Sequence, residues 1–156
     1  MKLSALFSDH MVLQRGKPIN IWGQGEGKVC LRFGGSRYYT VCDGGKWSVV
    51  IPPMPAGGPY ELIISDESSS VTLRDVMIGE VWLAAGQSNM EHSLFSAVGG
   101  LEAAKKMDNP NVRLFTVPRR TEPGFNGYRW HFESVKADDE PWRCCTEQAA
   151  LHFSAV

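Results

Sequence analysis

Gly86-Gln87-Ser88-Asn89-Met90 is where this sequence gathers the residue types of acyl transfer: a hydroxyl nucleophile flanked by amides and a glycine. The five residues before it, Val81-Trp82-Leu83-Ala84-Ala85, are apolar at every position, which is the composition of a strand buried on both faces. A serine at the end of such a strand presents its hydroxyl at the C-terminal edge of a parallel sheet, where ligands bind in open α/β folds. Its backbone N–H, with those of the following turn, would face a developing oxyanion. Gly86 allows the tight turn without a Cβ clash. The pattern departs from the G-x-S-x-G elbow, because Met90 replaces the second glycine. A serine here also makes a good helix N-cap. Position alone leaves both roles open for Ser88.

The neighbouring polar groups are less committed. Glu91 could line a substrate pocket, but a carboxylate in a first helical turn is equally explained by the helix dipole. His92 lies four after Ser88 and would share a helix face with it, which sets the ring beside the turn rather than behind the hydroxyl. It is expected to be exposed or pocket-lining. His10, His131 and His152 are expected in packing or surface roles. Trp22, Trp47 and Trp82 are expected in the core, with Trp130 and Trp142 open to stacking on a sugar ring. Cys144 and Cys145 are adjacent, and Cys30 and Cys42 have no partner at zinc spacing. Free thiols are expected, with no metal and no cofactor.

Two kinds of element must position these residues. Up to about Val76 the pattern is strands and turns: Ile19/Ile21, Val29/Leu31/Phe33, Trp47/Val49/Ile51 and Tyr60/Leu62/Ile64 each share one face. Gly- and Pro-rich clusters such as Gly34-Gly35-Ser36 and Asp43-Gly44-Gly45 separate them. Residues 1–76 therefore read as a small antiparallel β-sandwich module. Residues 77–156 read differently. The run at Val81–Ala85 leads to helix-compatible spacing at Met90, Leu94, Ala97, Leu101 and Ala104, which Gly99-Gly100 interrupts. A second strand follows at Val112–Val117, then a long loop from Pro118 to Arg143 and a helix opening at Glu147–Val156. Strand, helix and strand make one right-handed βαβ step. That is too little for a covered parallel sheet, so this part is expected to be an incomplete α/β domain. It would be completed by residues beyond Val156 or by a second chain.

The wording of two stretches adds to this. Ile78-Gly79-Glu80-Val81-Trp82-Leu83-Ala84-Ala85-Gly86-Gln87-Ser88-Asn89-Met90-Glu91 resembles the nucleophile block of the sialate O-acetylesterase family, a group of SGNH (GDSL-like) hydrolases. Leu6-Phe7-Ser8-Asp9-His10-Met11-Val12-Leu13-Gln14-Arg15-Gly16-Lys17-Pro18 and Ile21-Trp22-Gly23 are similar to the opening of those enzymes. Phe153-Ser154-Ala155-Val156 is similar to the start of a later helix in them. The resemblance implies an N-terminal β module followed by the first part of an SGNH-type three-layer α/β/α (flavodoxin-like) domain. It also implies Ser88 as the nucleophile of a serine carbohydrate esterase, within the loop Gly86, Gln87, Ser88 and Asn89. An acetylated carbohydrate would be the substrate, sialic acid first and acetylated xylan second. The family's base is the His of a late Asp-x-x-His motif, and no Asp precedes a His by three in this sequence. The chain alone is therefore expected to be inactive.

Composition sets outer bounds. The chain has 156 residues, 43% hydrophobic, with 16 Lys plus Arg against 17 Asp plus Glu, for a formal charge of −1. No run of basic residues longer than two occurs, so nucleic acid is not expected as a partner. No apolar run nears the roughly 20 residues that span a bilayer, and the start lacks the apolar run of a secretory signal. These favour a cytoplasmic chain with no membrane partner. The competing reading is a non-enzymatic β module that binds carbohydrate or packs against a partner.

Overall fold

The computed structural model describes residues 1–86, 89, 92–117, 119–121, 128–130 and 142–146, of which 119–121 and 128–130 are described as backbone alone. They are mostly β-strand with few helices. The chain divides into two compact units, Met1–Val81 and Trp82–Val156.

The first unit contains β1 (Lys2–Leu3), β2 (Val12–Gln14), β3 (Ile19–Gln24), β4 (Lys28–Phe33), β5 (Ser36–Val41), β6 (Lys46–Ile51), β7 (Gly57–Ser65) and β8 (Ser70–Gly79). One sheet has the order β1-β3-β6 and the other β2-β8-β7-β4-β5. Both are antiparallel except at β2, which pairs in parallel with the end of β8. Parallel neighbours need a long crossover, which the rest of the unit supplies. Val76 lies inside β8, which runs on to Gly79.

The alternation seen in the sequence sorts the side chains. Ile19 and Ile21, Val29, Leu31 and Phe33, Trp47, Val49 and Ile51, and Leu62 and Ile64 are all buried. Tyr60 is half-buried, its ring edge-on to Phe33 at 5.4 Å. Met11, Leu73, Val76 and Ile78 complete this core. Between β4 and β5 the Phe33–Ser36 pair closes a two-residue turn, Gly34-Gly35, with φ of 56° and 82°. Mirror-image hairpin turns need positive φ at both central positions, which glycine adopts without strain.

Gly23 has a different reason. It sits in β3 directly opposite Trp47, and a Cβ there would lie 2.8 Å from the Trp47 ring and 2.8 Å from the Lys2 carbonyl oxygen. Gly23→Ala is expected to destabilise the unit by about 1–3 kcal/mol, the usual cost of overpacking. A lowered thermal midpoint checks this, and an unchanged one would contradict the packing.

Beyond the end of β7, Asp66 Oδ1 accepts hydrogen bonds from the Ser68 and Ser69 N–H groups (2.9 and 2.7 Å) and from both hydroxyls (3.0 and 2.9 Å). These donors, the Ser68 N–H foremost, hold its carboxyl at about 2 against an ordinary 3.8. A depressed carboxylate stabilises the fold above its unfolded pKa, and that contribution is lost as pH falls through the folded value. Asp66→Ala should therefore lower the thermal midpoint at pH 7, and the deficit should shrink as pH falls from about 4 to about 2. A deficit equally large at the acid end would show that ionisation plays no part.

The second unit departs from the sequence expectation. Val81 to Gly86 form neither strand nor helix, and Trp82 and Leu83 are 87% and 81% exposed. A strand buried on both faces exists only between partner strands and under covering helices. No described strand of this unit runs parallel to another. Instead of one helix there is a 3₁₀ turn at Leu94–Ser96 and a short α1 (Gly100–Ala104). Gly99, in the left-handed region at φ 74°, makes the interruption. The next strand, β9 (Asn109–Leu114), is not the second strand of a βαβ step, because it pairs antiparallel with β12 (Arg143–Cys145). The expected long loop holds β10 (Arg119–Thr121) and β11 (Tyr128–Trp130), paired antiparallel. The helix expected at Glu147–Val156 lies outside the described residues. Among the described residues no helix is long and apolar enough to cross a membrane.

Candidate active site

The segment leading to Ser88 is tied down where β8 ends. Arg15 N–H donates to the Gly79 carbonyl at 2.9 Å, one step past the last parallel pair, Gln14 with Gly79. The Gln14 side chain then bridges the next two residues. Its Nε2 donates to Glu80 Oε2 at 2.9 Å, and its Oε1 accepts from the Val81 N–H at 2.9 Å. Arg15 Nε donates to Glu80 Oε1 at 2.6 Å. The Gln14 amide first and the Arg15 guanidinium second hold the Glu80 carboxyl below the usual carboxylate range. Arg15 and Glu80 are each about half exposed, so the set adds little to global stability. What it does add is direction, by fixing where the chain leaves β8. An open hollow of about 640 Å³ lies beside it, lined by Gln14, Arg15, Lys17, Met54 and Glu80 among others.

Past this point the expected site is only partly described. Gln87, Ser88 and Glu91 lie outside the described residues, so the expectation that Ser88 emerges at the rim of a strand is carried no further than Gly86. Gly86 is exposed and, with the four residues before it, outside any sheet; the rim itself is therefore not formed in this structure. Asn89 and His92 are exposed, and the His92 N–H donates to the Asn89 carbonyl at 3.4 Å.

Elsewhere the structure makes pairings that local sequence did not reveal. His10 Nδ1 and Asp75 Oδ2 are 2.6 Å apart. The His10 N–H donates to the Arg74 carbonyl and the Arg74 N–H to Asp9 Oδ1, which pins the Ser8-Asp9-His10 turn to an irregularity in the β7–β8 pairing. Both residues of the pair have positive φ, 65° and 53°, conformations kept only where surroundings over-determine them. The pair's role is to hold that turn, in keeping with a packing or surface role for His10. Among the described residues neither unit by itself gathers three His, Cys, Asp or Glu ligand atoms. All four cysteines are free. Cys145 is buried, donates to the Met107 carbonyl at 3.1 Å, and has its thiol pKa raised by burial and then by Asp108. It is a packing residue rather than a nucleophile. Trp47 is buried, but Trp22 is 38% exposed beside Phe7 and Trp82 is 87% exposed, which corrects the core expectation for both. Trp142 packs on Phe115 with ring centres 5.3 Å apart, while the Trp130 side chain is outside the described residues.

Sequence reasoning missed the Gln14–Arg15–Glu80 set, although all three residues stand inside the two stretches that carry the family resemblance. Its signal was there: two family-like stretches far apart in sequence had to meet somewhere.

Known proteins place the chain. No family profile matches it. It is 30% identical over 141 residues to the sialate O-acetylesterase of Rattus norvegicus, a match spanning 74% of this chain and 24% of that protein. It is 37% identical over 79 residues to the Homo sapiens sialate O-acetylesterase, spanning 46% of this chain and 14% of that protein. The structure of a carbohydrate acetylesterase from Xanthomonas citri aligns with TM-score 0.81 and 32% identity over 99% of this chain and 34% of that one. The chain thus spans about a quarter of the length of the rat relative. Over that span it belongs to the sialate O-acetylesterase family.

Proposed function

We propose that these residues are part of a serine carbohydrate esterase that removes O-acetyl groups from sugars, with 9-O-acetylated sialic acid as the first substrate and acetylated xylan as the second. The observation that carries this reading is the anchoring of Gly79-Glu80-Val81 by Gln14 and Arg15, seven residues before Ser88. A nucleophile loop needs a fixed point of departure, and two family-like stretches supply it together. In this reading the first unit is a β-sandwich module, drawn at residues 1–76 from the sequence. Residues 77–156 open an SGNH-type α/β/α domain whose first parallel strand, Val81–Ala85, forms when its partner strands are present.

The chemistry follows from the residue types. Ser88 Oγ gives its proton to the base as it attacks the acetyl carbonyl, the carbonyl π electrons move onto oxygen, and the Ser88 N–H is one donor to that oxyanion. Collapse expels the sugar hydroxyl, which takes a proton from the base, and water then releases acetate from the acetyl-enzyme. Gly86 keeps the loop tight, Gln87 and Asn89 flank the nucleophile, and Glu91 and His92 line the substrate pocket. The base is the His of an Asp-x-x-His block that these 156 residues do not contain. It comes from further residues of the same polypeptide, or from a second chain in a split enzyme.

The test is acetate release from 9-O-acetylated sialic acid and from acetylated xylan by a polypeptide that joins these residues to such a block. Acetate release from either sugar supports the reading. Binding of glycan without any release would favour the non-catalytic carbohydrate-binding module instead.

A further inference from the structure

The outer face of the β4–β5 hairpin carries an arrangement that folding alone disfavours. In the register of this hairpin Arg32 stands directly opposite Arg37, Cys30 opposite Tyr39 and Lys28 opposite Val41. Cross-strand partners lie on the same side of a sheet, and directly opposed like charges repel. Val29, Leu31 and Phe33 fill the other side with the core. Arg32, Arg37 and Lys28 are exposed, Tyr39 is 70% exposed, and among the described residues none of the three cations has an ion-pair partner. Because β5 is the edge of its sheet, one charge on it guards against strand addition. That role needs no second arginine across from the first, and an acidic residue opposite would serve it better. This hairpin face gathers two guanidiniums beside an open phenol ring, and the nearest acid across the sheet, Glu61 on β7, is paired with Arg74 at 3.4 Å, so the face is complementary to a flat anion.

We propose that this face binds an acidic polysaccharide through its carboxylates. Arg32 and Arg37 each hydrogen-bond a carboxylate, which removes their mutual repulsion, and Tyr39 stacks on a sugar ring beside them. Three cations are too few for nucleic acid, where binding is driven by neutralising many phosphates. All its residues belong to the first unit, and it does not depend on the esterase reading.

Affinity electrophoresis of the 156-residue chain, in gels containing polygalacturonate, neutral xylan or no polysaccharide, tests it. Retardation is expected in polygalacturonate alone. The Arg32→Gln/Arg37→Gln variant should bind about tenfold more weakly or worse, since each charge-assisted hydrogen bond contributes on that scale. Tyr39→Ala should also weaken binding, at high salt as well as low. The double variant's thermal midpoint should equal or exceed that of the unsubstituted chain, because a repulsion has been removed. If the double variant does not fold, Arg37→Gln on the edge strand provides the same comparison. Migration unaffected by polygalacturonate, or equal retardation of the arginine variants, would overturn the proposal. Tighter binding to duplex DNA or to phosphatidylserine vesicles than to polygalacturonate would overturn it too.

Discussion

Ser88→Ala, made in a polypeptide that unites these residues with an Asp-x-x-His block, is expected to reduce turnover of an acetylated sugar by about 10⁶-fold, the loss seen when a triad serine is removed from a well-characterised serine hydrolase. The size follows from the mechanism, because without Oγ no acyl-enzyme forms and only binding and oxyanion stabilisation remain. The same reasoning applies to the 156 residues by themselves. They contain no Asp-x-x-His, and triad members act as a unit, so their hydrolysis of p-nitrophenyl acetate should match that of their own Ser88→Ala variant. Robust Ser88-dependent turnover by this chain alone would mean that the base has been wrongly assigned.

Loosening the Gln14–Arg15–Glu80 set is expected to have the next largest effect. Glu80→Ala removes the carboxylate that both Gln14 and Arg15 hold, and frees the Gln14 amide that fixes the Val81 N–H. A misplacement of about 1 Å at a reacting group can cost about 10²-fold in rate, so kcat in the united polypeptide should fall on that scale. The thermal midpoint should hardly move, since an exposed, solvent-screened ion pair contributes little to stability. KM should change much less than kcat. A merely structural role would give the opposite pattern, a lowered midpoint with kcat intact. Glu80 stays ionised below the usual carboxylate range, so this arrangement should persist through mildly acid pH and fail only under stronger acid.

What could be read from the sequence was what depends on near neighbours. The period-two runs of β3, β4, β6 and β7 identify their own buried faces, because alternation is a property of each strand alone. Gly34-Gly35 announces a hairpin for the same reason, and Gly99-Gly100 announces the break before α1. The parallel pairing of β2 with β8 was not legible, since nothing in Val12-Leu13-Gln14 names its partner. Val81–Ala85 misled in the opposite direction. Its composition describes a strand inside a covered sheet, and such a strand depends on elements elsewhere, so the apolar run alone does not produce it. The opposed arginines were invisible for a third reason. A search for basic runs finds residues adjacent in sequence, whereas Arg32 and Arg37 meet only through a hairpin register. Of the candidate site, the approach as far as Gly86 was legible as a motif, and its anchoring became visible only in three dimensions.

In the proposed mechanism Ser88 is the residue acylated during turnover. Peptide mass spectrometry of the united polypeptide after treatment with a fluorophosphonate ester tests it most directly. One stoichiometric phosphonyl adduct is expected, on the peptide containing Gly86-Gln87-Ser88-Asn89, with acetate release lost in step. A phosphonylated residue anywhere else, or full activity with Ser88 modified, would contradict it.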